Sequence, residues 1–291
     1  VDEFYIFRNE QLLVALAGLL MNEPTYIHGH TGSGKTTLVE QIAARLNWPF
    51  VRVNFDSEIT RMDLIGRDTL STDADGKTVS EFVDGILPQM LSGPNICCFD
   101  EVDFVRADIA YVMQRALEND GLIITEDGGR RVHQHVMTRI FATGNTVGQG
   151  DEFGMYQGAR NQSLAFMDRF TNSVHVPYMP ESDRLSLIKA RVPELGETEA
   201  KVISKYVSEH LDAFTSAKVL QPLSPRGYVS LARKVAFFAT LDPASGGSGA
   251  AMIGDTKAGT FKLALQATVL NRCSEQDRSV LSGIGQRVFG S

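Results

Sequence analysis

The stretch GHTGSGKTT, residues 29–37, carries the most specific chemical signal in the sequence. It matches the pattern G-x-x-x-x-G-K-[ST], in which backbone amides surround phosphate groups, the lysine reaches the β- and γ-phosphates, and the last hydroxyl binds Mg²⁺. A glycine-rich turn without a ligand is the alternative, but the stretch lies between a predicted strand and a predicted helix, which favours a phosphate loop. The expected nucleotide-binding residues are Gly29, His30, Thr31, Gly32, Ser33, Gly34, Lys35, Thr36 and Thr37.

Two adjacent acidic residues follow the apolar run in NICCFDEVD, downstream of the loop. The run predicts a strand that delivers Asp100 to a metal ion shared with Thr36, and the next residue, Glu101, is placed to polarise an attacking water as general base. A pair of acids in a solvated turn is the alternative. The phosphate loop upstream makes that alternative the weaker one.

Three polar residues further along the chain are candidates for sensing or stabilising the phosphates. Asn145 ends the predicted strand RIFATGN, where an amide can bind the γ-phosphate or align the water, although such an Asn is usually a turn residue. Arg169 can stabilise the transferred phosphoryl group if it projects into a neighbouring subunit, and a weak surface pair with Asp168 is the alternative. Arg226 follows Pro225 at a predicted helix start, where it either reports nucleotide state or is simply solvated.

Short apolar strands alternate with helical segments around these residues. A helix follows the loop, with Leu38, Ile42 and Leu46 one turn apart on one face, and residues 109–117 predict another helix. This alternation predicts an α/β fold with a mostly parallel sheet and helices on both faces. The predicted strands are residues 25–28, 50–54, 95–99, 139–144 and 173–176.

Two β-hairpins are predicted to interrupt this pattern, one over residues 66–87 with DADG as its turn, the other over residues 122–144. Such hairpins can grip a partner protein or a substrate in a central pore. The strand signals stop after residues 177–180, and amphipathic helical segments follow, broken by a Gly/Ser-rich stretch at 242–250. We therefore predict a nucleotide-binding domain over residues 1–179 and a helical lid domain over residues 180–291.

Composition narrows the function classes. Lys plus Arg number 28 against 35 Asp plus Glu, for a net charge of −7, and the sequence has no long basic run, so direct nucleic-acid binding is not favoured. The apolar stretch at residues 12–21 is too short to cross a bilayer and predicts a core helix, with no membrane association.

Cysteine and histidine usage argues for a cytoplasmic protein without a zinc site. Cys97, Cys98 and Cys273 are odd in number and lack zinc-site spacing, which indicates a reducing cytoplasmic setting. His133 and His135 lack a suitably spaced Cys, Asp or Glu, so a structural or surface role is favoured over metal binding.

Taken in order, these motifs and both hairpins resemble the AAA+ ATPases of the MoxR and magnesium-chelatase group. More narrowly, residues 39–68, 81–88, 141–151, 166–170 and 270–290 resemble the CobS-type ATPase subunits of aerobic cobaltochelatase. The resemblance covers nearly the whole chain. It implies an AAA+ P-loop NTPase core, a parallel sheet flanked by helices with two inserted β-hairpins, followed by a small helical lid.

The resemblance also implies a function. It implies a hexameric ring that hydrolyses ATP with Mg²⁺ and, with a CobT-type partner, drives the CobN-type subunit that inserts cobalt into a corrin-ring precursor of cobalamin. The site roles carried over by position are nucleotide and Mg²⁺ binding for Lys35 and Thr36, metal and water contacts for Asp100 and Glu101, a polar sensor at Asn145, a trans-acting finger at Arg169, and a lid sensor at Arg226 that acts in cis or in trans.

Two alternatives remain open at this point. One is a MoxR-type chaperone that remodels or activates another metalloprotein client with the same nucleotide site. The other is a nucleotide-binding scaffold that never hydrolyses, which the intact Glu101 and Arg169 argue against. The related proteins usually carry a longer N-terminal segment, so a sequence that opens at Val1 is expected to lack one, and residues 242–250 resemble an extra insertion.

Overall fold

The computed structural model describes residues 1–56, 58–72, 76–150, 156, 158–241 and 257–289. The chain divides into two compact units. The first unit comprises Val1, Phe7–His30 and Lys35–Val176, and the second comprises Asp2–Ile6, Thr31–Gly34 and Pro177–Ser291. The division into domains 1–179 and 180–291 remains a prediction from the sequence.

Strands and helices alternate along the first unit. Its strands are β1 (Thr25–His28), β2 (Phe50–Asn54), β3 (Gly66–Thr72), β4 (Thr78–Asp84), β5 (Ile96–Asp100), β6 (Leu122–Ile124), β7 (Arg130–Val132), β8 (Arg139–Gly144) and β9 (Asn172–His175). Its helices are α1 (Asn9–Met21), α2 (Lys35–Arg45), α3 (Arg61–Ile65), α4 (Ile86–Leu91), α5 (Ala107–Leu117) and α6 (Leu164–Met167). A short 3-10 helix, Val102–Phe104, follows β5 directly.

Five parallel strands form the central sheet, in the order β2-β5-β8-β1-β9. Every residue of β5 is buried, because helices cover both faces of a parallel sheet. Cys97 and Phe99 pack in one core cluster with residues of α5, and Ile96 and Cys98 pack in a different cluster with residues of α2. The carboxyl ends of these strands therefore meet at one edge, where parallel α/β sheets bind ligands.

The predicted strands are confirmed within a residue. Residues 25–28, 50–54 and 139–144 have the predicted bounds, and the other two strands are displaced by one residue. The prediction that the helix after the phosphate loop includes Leu46 is wrong by one residue, since α2 ends at Arg45, and Leu46 is 48% exposed. Asn47 follows it with a positive φ of 50°, which ends the helical backbone there.

Both predicted hairpins are confirmed, but the second ends at Val132, and the last part of its predicted range, residues 139–144, is strand β8 of the central sheet. β3 and β4 pair antiparallel over their whole length and lead into α4, and β6 and β7 pair antiparallel just before β8. The predicted turn DADG falls largely outside the described residues, at 73–75. The first hairpin exposes apolar side chains, with Leu70 at 78% and Val83 at 48%.

The apolar stretch at residues 12–21 forms most of α1, which covers the sheet beside β1 and β9. The helix buries Ala15, Gly18 and Leu19, whereas Leu20 and Met21 are 78% and 70% exposed. It is therefore a surface helix with one buried face, and the expectation of a core helix holds for that face alone.

The second unit is helical, as the sequence predicts. Its helices are α7 (Glu181–Arg191), α8 (Glu197–Thr215), α9 (Pro225–Ala239), α10 (Lys257–Thr268) and α11 (Glu275–Phe289), with a 3-10 helix at Leu270–Arg272. Phe289 stacks on Tyr206 and Phe261, with ring centroids 5.2 Å and 4.7 Å away, which joins α11 to α8 and α10. None of the helices in the described ranges combines the length and apolar composition that a bilayer crossing requires.

A single glycine allows α1 to approach the sheet closely. A Cβ on Gly18 would lie 2.2 Å from Thr25 Oγ1 and 2.4 Å from Asn172 Nδ2. The Asn172 amide donates to Thr25 Oγ1 at 3.0 Å and to the carbonyl of Val14 at 2.9 Å, so a methyl group at residue 18 would break a bond between helix and sheet.

We expect Gly18→Ala to lower the free energy of unfolding by about 1–3 kcal/mol through overpacking, despite the better helix propensity of Ala. Gly283→Ala in α11 is the matched control, because a Cβ there would have nothing within 4 Å. The control should gain about 0.5–1 kcal/mol. Urea unfolding of both variants measures the difference, and stabilisation by Gly18→Ala would contradict the close packing.

Candidate nucleotide-binding site

Lys35, the first residue of α2, ties the phosphate loop to the end of β8. Its ammonium group donates to the carbonyls of Gly29 at 2.7 Å and His30 at 3.2 Å, and to Asn145 Oδ1 at 2.9 Å. The structure thus brings the predicted lysine and the predicted sensor amide together. Burial lowers the pKa of Lys35 to about 8, against the nearby charges of Asp103, Asp100 and Glu101, so a bound anion would favour its charged form.

Asp100, the last residue of β5, is held at both carboxylate oxygens. Thr36 Oγ1 donates to its Oδ1 at 2.7 Å, and Thr143 Oγ1 donates to the same oxygen. The guanidinium of Arg52 forms a salt bridge with Oδ2, and the Asp100 side chain is only 3% exposed. The predicted metal-binding pair, Thr36 and Asp100, is therefore in direct contact.

Glu101 lies in a turn with a left-handed backbone, φ 61° and ψ 42°. Its amide donates to Thr143 Oγ1 at 3.1 Å, and its side chain is exposed. Partial burial and the charge of Asp100 raise the pKa of its carboxyl, while Arg52 and Lys35 act in the opposite direction. A carboxylate that faces solvent beside the predicted metal-binding residue Asp100 is suited to accept a proton from water.

Asp103 is a residue of the candidate site that the sequence analysis missed, although the motif NICCFDEVD ends with it. It is fully buried, and its carboxylate accepts from the backbone amides of Asn145 and Thr146, from the Thr146 hydroxyl at 2.9 Å, and from the Tyr26 hydroxyl at 3.2 Å. Asp103 therefore fixes the turn that carries the sensor amide. The signal in the sequence that could have identified Asp103 is that it is the third acidic residue within four residues at the end of a strand.

Two histidines of the first unit, His28 and His30, lie close enough to Lys35 to interact with its charge. His28 and His175 are register partners on β1 and β9, and their rings stack with centroids 5.0 Å apart. His30 Nδ1 lies 2.7 Å from the Tyr156 hydroxyl. Burial, together with the charge of Lys35, lowers the pKa of His28 and His30, so both imidazoles favour the neutral form.

The middle of the phosphate loop, Thr31–Gly34, belongs to the second unit. Tyr178 donates to the carbonyl of Thr31 at 3.2 Å, and a Cβ on Gly32 would lie 2.8 Å from Ser224 Cβ. Gly34 has a φ of +98° and open space around its missing Cβ. Ser33 Oγ is buried without a hydrogen-bond partner among the described residues, a polar atom that a phosphate oxygen would satisfy.

These groups fit a magnesium nucleotide. The hydroxyl of Thr36 and the carboxylate of Asp100 are the oxygen ligands that Mg²⁺ prefers, and Thr37 follows in the first turn of α2. Lys35 is a partly buried cation that donates to two carbonyls and a side-chain amide oxygen, all of them neutral acceptors. A phosphate group would supply negative charge in direct contact with it.

The two predicted arginines lie outside this network. Arg169 forms a salt bridge with Glu118, 2.6 Å from Nη2 to Oε1, and not the alternative pair with its described neighbour Asp168. Arg226 lies in the first turn of α9, behind Pro225 and the N-cap Ser224, which confirms the predicted helix start. In the second unit it lines a cleft of about 440 Å³ with Lys234 and Arg272.

His133 and His135 are not part of any metal site that the structure describes. Among the described ranges, no group of three or more His, Cys, Asp or Glu side chains is placed to hold a metal ion. His135 Nδ1 accepts from the backbone amide of Met137 at 3.1 Å, which is a local turn contact.

Comparison with known proteins assigns the family. Residues 24–170 match the AAA domain of the dynein-related subfamily. The chain is 35% identical to the aerobic cobaltochelatase subunit CobS of a Sinorhizobium species over 295 aligned residues, covering 100% of this chain and 82% of CobS. It is 26% identical to the denitrification regulatory protein NirQ of Stutzerimonas stutzeri, covering 70% of this chain and 74% of NirQ.

A solved structure of the Thermotoga maritima RuvB Holliday junction branch migration motor has a TM-score of 0.55 at 13% identity, covering 95% of this chain and 73% of RuvB. That likeness concerns the fold alone. It agrees with the parallel sheet, the phosphate loop between β1 and α2, and the helical C-terminal region. The chain therefore belongs to the dynein-related AAA domain family, within the MoxR and magnesium-chelatase group of AAA+ ATPases.

Proposed function

We propose that this protein is an ATP-hydrolysing motor subunit. The observation that carries the proposal is the joint engagement of Lys35 with Asn145 and of Thr36 with Asp100, which prepares one edge of the sheet for a triphosphate and Mg²⁺. Thr36 and Asp100 would hold Mg²⁺, which would offset the negative charge of the phosphates when bound. The reducing cytoplasm is the proposed setting, supported by three free cysteines.

In this proposal each side chain has a separate task. Lys35 and the loop amides bind the phosphates, Glu101 takes a proton from the attacking water, and Asn145 orients that water or the γ-phosphate. Arg169 supplies positive charge to the nucleotide site of a neighbouring subunit. In the single chain, Glu118 holds this arginine in a salt bridge. Arg226 couples the nucleotide state to the second unit, in cis or in trans.

The proposed client is an aerobic cobaltochelatase. Sequence identity to CobS along the full chain supports this client. In the proposed complex, a hexameric ring of this protein works with CobT-type and CobN-type subunits. The complex inserts cobalt into a corrin-ring precursor of cobalamin. The exposed apolar side chains of the first hairpin, with Leu70 78% exposed, supply a surface for such a partner. In this arrangement the chain moves other subunits and is not the metal-insertion centre.

A MoxR-type chaperone that activates another metalloprotein is the alternative, and the similarity to NirQ favours it. The nucleotide site would be the same. The partner subunits decide between the two functions, because assembly-dependent ATP turnover without cobalt insertion would fit only the alternative.

We expect Glu101→Gln to bind ATP and keep the ring but to lose turnover by about 10²–10⁴-fold, because the general base is removed while the charge environment of the phosphates is little changed. Lys35→Ala should lose nucleotide binding itself. Phosphate release and cobalt insertion are measured with the CobT-type and CobN-type subunits, cobalt and the corrin substrate present. Normal turnover by Glu101→Gln would remove the assignment of the base.

Nucleotide affinity should fall as the pH rises through about 8, the pKa of Lys35 in the nucleotide-free protein. The phosphates bind the protonated lysine, so affinity is full below this pH, and Kd increases by up to about tenfold for each further pH unit. Lys35→Arg is the control, because its guanidinium does not titrate in this range. A Kd that stays constant up to about pH 9.5 in the unmodified protein would contradict the role of this pKa.

Turnover should require neighbouring subunits if Arg169 acts across an interface. We expect Arg169→Ala to lower turnover by about 10³-fold or more, and rings that mix it with Glu101→Gln subunits should regain activity. Glu118→Gln is the matched control, since it releases the arginine without removing it. Absence of rescue at every mixing ratio would count against a trans role.

A further inference from the structure

Arg52 is a cation that none of the proposed catalytic steps uses, yet it is bound to Asp100. It lies on β2, the edge strand of the sheet, where its register partner on β5 is Cys98. Asp100 is two residues further along β5, so the guanidinium reaches toward the carboxyl end of the sheet to form a salt bridge with Asp100 Oδ2. The side chain of Arg52 is 49% exposed, whereas that of Asp100 is 3% exposed.

The Arg52 guanidinium compensates the negative charge of the buried Asp100 carboxylate. A buried carboxylate requires a positive partner or several hydrogen bonds. At Asp100 the hydroxyls of Thr36 and Thr143 both occupy Oδ1, and among the described residues Arg52 is the cation that forms a salt bridge with Oδ2. Without a metal ion, Arg52 is therefore the cation in direct contact with this buried charge among the residues that the structure describes.

A divalent cation on the Thr36 side of Asp100 changes this balance. The same carboxylate would then lie between a guanidinium and an ion of charge two, and these cations repel each other at close range. The half-exposed arginine has solvent to move into, while Asp100 is fixed by its buried strand. Of the two partners, the arginine is the one that can give way.

We propose that Arg52 is a positioning residue that holds Asp100 in the metal-free protein and releases Oδ2 when a magnesium nucleotide binds. The ion pair then sets the Mg²⁺ concentration at which the nucleotide is held tightly. This inference rests on the nucleotide site of the proposed function and extends it to the regulation of that site.

The test compares Arg52→Gln with Arg61→Gln. Arg61 is a matched control, because it is 48% exposed and forms an ion pair with Glu126 that involves none of the proposed nucleotide-binding residues. A fluorescent N-methylanthraniloyl ADP is titrated onto each protein at a series of Mg²⁺ concentrations. Removing the competing cation should lower the half-saturating Mg²⁺ concentration by about two- to fivefold in Arg52→Gln, the range that one partly exposed ion pair supplies, and leave Arg61→Gln unchanged.

Thermal unfolding supplies a second measurement that does not depend on turnover. Without nucleotide and Mg²⁺, Arg52→Gln should unfold at a lower temperature than the unmodified protein, and saturating Mg²⁺ with ADP should shrink that deficit. A deficit that stays constant, or an unchanged or increased Mg²⁺ requirement, would overturn the inference and leave the nucleotide site intact. Failure of the unmodified protein to bind the fluorescent nucleotide at any Mg²⁺ concentration would overturn the proposed function as well.

Discussion

The buried carboxylate of Asp100 is the constraint on which the rest of the site depends. A charge that is 3% exposed at the end of a central strand has to be compensated, and the three groups that do so come from three different elements. Thr36 belongs to α2, Thr143 to β8 and Arg52 to β2. The need to satisfy one carboxylate therefore fixes the start of the loop helix against two strands of the sheet.

A second buried carboxylate, Asp103, does the same for the other half of the site. Its oxygens bind the turn after β8, where Asn145 begins the segment that returns an amide oxygen to Lys35. Asp103 also opposes the fall in the lysine pKa that burial causes. Nearby carboxylates thus favour the cationic lysine, whose hydrogen bonds go to neutral groups that a phosphate can replace.

Local sequence patterns predicted most of the fold, whereas the pairings of charged side chains were not predictable. The strand at residues 50–54 was predicted correctly because β-branched and aromatic residues favour strands and a polar residue ends the run. The phosphate loop was predicted correctly because the spacing of its glycines and lysine is specific to phosphate binding. The prediction that Leu46 is helical was wrong, because helical periodicity does not show where a residue with a positive φ ends the helix. The contact of Arg52 with Asp100 joins residues on different strands, and no pattern within one segment records it.

The left-handed backbone at Glu101 explains how one short turn serves three carboxylates. A non-glycine residue with φ 61° costs about 1 kcal/mol or more, and it persists only where the surroundings determine it. At this turn the Glu101 amide bonds to Thr143, and the 3-10 helix after it carries Asp103 into the interior. The sharp change of direction lets Asp100 and Asp103 be buried on either side of an exposed Glu101. In the proposed function the two buried acids serve metal binding and the support of the Asn145 turn, and the exposed Glu101 is left for the proton transfer from water.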